Sequence, residues 1–227
     1  TKNISFKNYK TSKKNKKILN ILNQIKKEDN KVLESINKDY EDSFDKKKIS
    51  KYKKYSEIRL FGIGGSSLGA QSIYEFLKYK IKKNFLFLDN LDVSGDNKKK
   101  NKKKLNLVIS KSGNTLETIA TSNIAFNKNQ KNIFITENKR SYLMDLAQKL
   151  KSDIVHHNNF IGGRYSVFSE VGMLPAELMG LNVSKFRRFN ELINNKKFVN
   201  SLITNVSNIY ELTKKKKFNS IILNYDK

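Results

Sequence analysis

No cysteine and no tryptophan occur in the 227 residues, there is one proline, Pro175, and the only histidines are His156 and His157. Without thiols the chain holds no disulfide framework, no zinc–thiolate site and no cysteine nucleophile. That fits a reducing compartment, and a cytoplasmic location is expected. No uninterrupted apolar stretch approaches the roughly 20 residues that a membrane span requires. The opening TKNISFKNYKTSKKNKK has no apolar core after its charges, so it does not read as a secretory signal. Arginine is scarce as well. It stands at five positions (59, 140, 164, 187 and 188), although Lys and Arg together number 46 and the formal net charge is +25. Such a charge points first to nucleic acid, through counterion release at phosphates. Bidentate recognition of bases and phosphates favours arginine, however, and here lysine dominates, mixed with asparagine. The lysines read as solvated surface, and no specific nucleic-acid partner is expected.

What is present is enough for a core, with hydrophobic residues at 37% beside 30% charged. Residues 1–56 read as a lysine-rich helical segment, with Ile18, Leu19, Ile21, Leu22, Ile25, Val32, Leu33 and Ile36 mostly at three-and-four spacing. The rhythm then changes. Short apolar runs at Ile58–Phe61, NFLFLDN, LNLVIS, KNIFITE and SDIVHH alternate with helical stretches, AQSIYEFLKY, LETIATSNIAFN and SYLMDLAQKLK. This alternation predicts a doubly wound parallel sheet of five strands. Ile119, Ala120, Ile124 and Phe126 are the expected buried side of the second of these helices. NKKKNKKK is expected to be a solvated loop. From Phe168 onward the chain reads as helix, with Pro175 expected to kink or divide the first piece. FNSIILNYDK reads as one more strand. That run and the non-methionine start at Thr1 lead us to expect a piece of a longer protein, with domains at 1–56, 57–183 and 184–227.

Two loops lie directly after strands and before helices, GIGGSSLG at 62–69 and SKSGNT at 110–115. In an open parallel sheet, ligands bind outside the carboxyl ends of the strands. A helix N-terminus there offers free N–H groups and partial positive charge to an anion. Ser110, Ser112 and Thr115, with Lys111 beside them, make a compact phosphate cradle, and a carboxylate inside it would repel the ligand. Simple helix capping would need only one of these hydroxyls. The first loop lacks the third glycine of a dinucleotide fingerprint in register, and it has no Gly-Lys-Ser/Thr for ATP. Its double glycine before Ser66 suits a backbone pressed against a small polar ligand. A third stretch, GGRYS at 162–166, puts Arg164 on a tight turn, where a guanidinium suits a developing oxyanion. His156 and His157 read as strand-end or core residues.

Taken together and in this order, GIGGSSLG, SKSGNTLET and GGRYSVFSEVGMLP resemble the phosphoglucose isomerase family, over roughly Ile58 to Gly180. The resemblance implies a sugar-isomerase (SIS) type α/β domain with a helical N-terminal extension and the truncated start of a second SIS domain. It implies interconversion of glucose 6-phosphate and fructose 6-phosphate through a cis-enediolate, with a glutamate base and with neither metal nor cofactor. By matching positions, Ser110, Lys111, Ser112 and Thr115 would hold the phosphate. Gly65 and Ser66 would meet sugar hydroxyls, Arg164 would stabilise the enediolate, and Glu117 would be an accessory catalytic group. The full-length family member is expected to pair as a homodimer, the site lying at the interface. The family's base glutamate, a ring-opening histidine and a C-terminal lysine have no motif match in residues 1–227, so this chain alone is expected to be inactive. The alternative is a non-catalytic module that senses sugar phosphates.

Overall fold

The computed structural model describes residues 15–91, 104–126 and 130–217. The expected strand in FNSIILNYDK and residues 97–103 of the expected loop NKKKNKKK lie outside them; the last residue of that stretch, Lys104, is not solvated but begins a strand, buried and paired with Glu57 at 3.0 Å. Two compact units form, residues 30–187 and residues 1–29 with 188–227. Residues 30–56, grouped by sequence with the N-terminal segment, therefore belong to the same unit as the sheet.

In chain order the elements are α1 (Lys16–Ile25), α2 (Lys31–Ser35), α3 (Lys46–Ser50), β1 (Glu57–Phe61), α4 (Leu68–Leu77), β2 (Asn84–Leu88), β3 (Lys104–Ile109), α5 (Leu116–Ala125), β4 (Lys131–Thr136), α6 (Tyr142–Lys149), β5 (Asp153–His156), α7 (Glu170–Leu178), α8 (Phe189–Ile193) and α9 (Lys196–Lys214). Short 3₁₀ turns stand at Gly64–Ser66 and Gly163–Phe168, just before α4 and α7.

The five strands are all parallel, in the order β2-β1-β3-β4-β5. Every residue of β3 is buried, Lys104 and Asn106 included, because it is the central strand of a sheet covered on both faces. Side-chain alternation along the strands divides the core in two. On one face Ile58, Leu60, Leu107, Ile109, Ile133 and Ile135 pack with α4, α7 and the residues Phe44, Ile49, Tyr52 and Tyr55. On the other, Phe61, Val108 and Phe134 pack with Leu143 and Ala147 of α6 and with Ile119 and Phe126. Helices on both faces make the sheet doubly wound.

Two expectations about helices are corrected. α7 continues through Pro175 undivided, and all nine of its residues are buried. Tertiary packing on that scale outweighs one lost backbone hydrogen bond. In α5 the buried residues are Thr118, Thr121 and Ser122, while Ile124 is 64% exposed. Two of these hydroxyls can go inside because Thr121 and Ser122 donate to the backbone carbonyls of Glu117 and Ile119, whereas Thr118 Oγ1 is buried without a partner among the described residues. In the other unit α9 buries Ser201, Ile203, Thr204 and Ser207, and Asn195 caps its start.

Candidate functional site

Strand order reverses beside β1, whose neighbours are β2 and β3, and this switch point is where a doubly wound sheet opens a crevice at its carboxyl edge. The loops after β1 and β3 leave the sheet there. The loop after β3 is a stitched turn. The Ser110 and Thr115 hydroxyls lie 2.8 Å apart and hydrogen-bonded, and the Gly113 N–H donates to Ser110 Oγ at 3.2 Å. Ser112 Oγ accepts from the Asn114 N–H. Gly113 has φ +67, and a Cβ there would fall on the side chain of Ser141. The Gly113 carbonyl and the Asn114 side chain accept from the Leu143 and Tyr142 N–H groups at the start of α6. Ser110 is buried, while Ser112 and Glu117 are exposed.

Thr115 occupies the N-cap position of α5, yet its side chain makes no cap hydrogen bond, being turned to Ser110 instead. The same holds at Ser67 before α4 and at Ser169 before α7, whose side chains also leave the first-turn N–H groups without a cap. In α1, α2, α3, α6 and α9 the capping side chains are in place: Asn15, Asn30, Asp45, Ser141 and Asn195 each accept from a first-turn N–H. The three helices that follow the motif loops thus start without a side-chain acceptor.

The turn at 162–166 lies across the turn at 64–66. A Cβ on Gly65 would fall on the Gly163 carbonyl. Ser166 Oγ is 2.6 Å from the Gly163 carbonyl and 3.5 Å from that of Gly65. The close approach that requires glycine at 65 is therefore to a second backbone segment, which the sequence does not reveal. This crossing joins the Ser66 loop to the Arg164 turn. Arg164 is exposed and makes no hydrogen bond or ion pair with the described residues.

Lys111 points away from the hydroxyls. Its Nζ donates to the Asn159 carbonyl at 2.9 Å and lies 3.4 Å from Glu137. Burial pushes the Glu137 carboxyl up, but Lys139 and Lys111 outweigh this and hold it below its usual value. A second ionic group lies beneath the Arg164 turn. Glu170 is fully buried. Its Oε1 accepts from the Asn158 N–H at 2.6 Å and lies 3.7 Å from His157 Nδ1, and its Oε2 accepts from Tyr40 at 3.4 Å. Burial holds His157 below its usual pKa despite Glu170, and burial together with the Glu170 charge pushes Tyr40 up to about 12. Arg187 grips Asp42 with both terminal nitrogens and stacks on the Tyr40 ring. Sequence reasoning misses both Glu137 and Glu170. A carboxylate inside the apolar run VFSEVGMLPAEL is the signal that could have found Glu170. Among the described residues no His, Asp and Glu group gathers to hold a metal ion.

Fold and loops together define an SIS-type α/β domain. Solved structures share that fold: a hypothetical protein of Thermus thermophilus superposes with a TM-score of 0.65 at 21% identity, covering 86% of this chain and 52% of that one. The tagatose-6-phosphate ketose/aldose isomerase of Escherichia coli superposes with a TM-score of 0.51 at 16% identity, covering 70% and 47%. The chain belongs to the phosphoglucose isomerase family, whose model matches residues 9–209. Glucose-6-phosphate isomerase of Methanocaldococcus jannaschii is 30% identical over 219 residues, 89% of this chain and 53% of that protein. The Prochlorococcus marinus enzyme is 32% identical over 154 residues, 59% of this chain and 28% of that protein. The chain thus spans about half, or less, of the length of these relatives.

Proposed function

We propose that this chain is the phosphate-holding part of an aldose–ketose isomerase that interconverts glucose 6-phosphate and fructose 6-phosphate. The observation that carries this is the absence of a side-chain cap on α5, directly after the serine loop, against the capped starts of α1, α2, α3, α6 and α9. First-turn N–H groups need an acceptor, and a phosphate supplies several. In this reading the amides at the start of α5, with the Ser110, Ser112 and Thr115 hydroxyls, hold the 6-phosphate. Lys111 acts from behind, bracing the loop and adding positive charge. Gly65 and Ser66 face the sugar hydroxyls. A base moves a proton from C2 to C1 through a cis-enediolate, and the Arg164 guanidinium, without a partner among the described residues, neutralises the oxyanion that builds up. Glu117, exposed in the first turn of α5, is an accessory group. No glutamate motif in residues 1–227 matches the family's base, so the chain alone binds and does not turn over. Leu68, Leu116, Phe160 and Tyr165 are exposed apolar side chains on the loops and helix starts that carry the motifs. This supports cover by further protein in a longer, homodimeric enzyme.

Titration of the purified chain with glucose 6-phosphate, glucose and inorganic phosphate tests the reading. Charge-assisted hydrogen bonds to the phosphate make glucose 6-phosphate bind about tenfold or more tighter than glucose. Equal affinity for the two sugars would remove the phosphate site, and fructose 6-phosphate formation by the chain would overturn its inactivity.

A further inference from the structure

We propose that Glu170 is a positioning residue for Arg164, and that it works by anchoring the turn at 158–164 from below. Its relevance to catalysis rests on the isomerase reading, while its anchoring does not.

A carboxylate with no exposed surface costs stability unless hydrogen bonds hold it. In α7, where the other eight residues of the buried helix include one more carboxylate, Glu177, near the far end, Glu170 stands in the first turn. Its shortest contact is to the main chain: the Asn158 N–H at 2.6 Å. Asn158 is the hub of the turn. Its carbonyl accepts from the Ile161 N–H at 3.2 Å and from His157 Nδ1 at 2.9 Å, and its side chain accepts from the Phe160 N–H at 3.0 Å. The next residue, Asn159, gives its carbonyl to Lys111 of the phosphate loop at 2.9 Å. Two adjacent residues of one turn are thus held by two charged groups, Glu170 on α7 and Lys111 on the loop after β3.

Five residues beyond Asn159 stands Arg164. It makes no bond to the described residues, so none of them aims its guanidinium. Its placement is inherited from its backbone, and that backbone is fixed at one end by the Asn158 hub and at the other by the crossing with Gly65. Glu170 controls the first of these. Hydrogen-bond acceptance by the side chain at 170 is what the anchor needs. Glutamine keeps it, alanine removes it, and aspartate keeps the charge on a shorter arm.

The experiment uses the 227-residue chain with Glu170→Gln, Glu170→Ala and Glu170→Asp, the last serving if alanine prevents folding. Amide hydrogen exchange without ligand reads the anchor. Asn158, Phe160 and Ile161 should exchange about tenfold or more faster in the alanine and aspartate variants, with β1 and β3 unchanged, and glutamine should restore protection. Affinity for a phosphorylated sugar hydroxamate, which carries the shape of the enediolate, should fall about tenfold in the same two variants, while affinity for inorganic phosphate stays near wild type. Faster exchange throughout residues 30–187, or failure of glutamine to restore protection, would overturn the anchor. Local loosening with unchanged hydroxamate affinity would overturn the positioning of Arg164. Wild-type chain that binds neither ligand would remove the isomerase reading, and the exchange pattern would then decide the anchor by itself.

Discussion

Ser110 shows how much one hydroxyl does at this site. It is buried, it pairs with Thr115, and it accepts the Gly113 N–H. Ser110→Ala takes the partner from the Thr115 hydroxyl, while the Gly113 N–H keeps the Ser110 carbonyl, and it should cost about 0.5–1.5 kcal/mol of stability and weaken phosphate binding, as read by denaturant melts and titration. The glycines at 65 and 163 give a paired test. A Cβ on Gly65 falls on the Gly163 carbonyl, whereas one on Gly163 meets nothing within 4 Å. Gly65→Ala should therefore lose about 1–3 kcal/mol or more by overpacking, and Gly163→Ala should stay within about 0.5 kcal/mol; thermal denaturation of the two variants reads the difference. His157 gives the molecule an acid-sensitive point. Burial holds its folded pKa below the 6.5 of a free imidazole, so below that pH the unfolded chain takes up the proton first and stability falls as pH falls. Replacing His157 by Gln should flatten the part of the stability profile just below pH 6.5.

At the scale of elements, the parts legible in sequence are those whose signal is local. An apolar run that stops at a glycine or serine loop marks a strand end, and β1, β3 and their loops are readable on that ground. The signals that fail are tertiary. Ile124, expected inside, faces out, because the hydroxyls of Thr121 and Ser122 find carbonyls within their own helix and can be buried. Pro175, expected to divide α7, does not, because burial of the whole helix offsets the missing bond. Gly65 also lies against a turn about a hundred residues later in the chain, a neighbour that no local signal announces. Least visible is a polar row across the sheet. Arg59, Asn106 and Asn132 are register neighbours on β1, β3 and β4. Asn106 Oδ1 accepts from Arg59 Nε at 2.9 Å, and its Nδ2 donates to Asn132 at 2.7 Å and Gln130 at 3.0 Å. The row fixes the alignment of three strands, since a slip would strand its polar groups among apolar neighbours. Asn106→Ala should cost about 3 kcal/mol or more in urea unfolding, as much as cutting a neighbouring core leucine.

For the whole molecule, net charge and directed N–H groups point an anion to different places. At the amino edge of the sheet, Lys51, Lys54, Lys131 and Lys151 line a cavity of about 300 Å³, together with Asp153, which pairs with Lys51. By charge alone that lysine cavity is the natural phosphate site. Directed N–H groups favour the carboxyl edge instead, where strand order reverses and the helix ends are uncapped. Backbone amide shifts of the chain during titration with glucose 6-phosphate separate the two most directly. Phosphate at the carboxyl edge predicts saturable shifts at Gly64–Ser67, Ser110–Thr118 and Arg164, with none at Lys131 or Lys151. Shifts confined to the lysine cavity would contradict it.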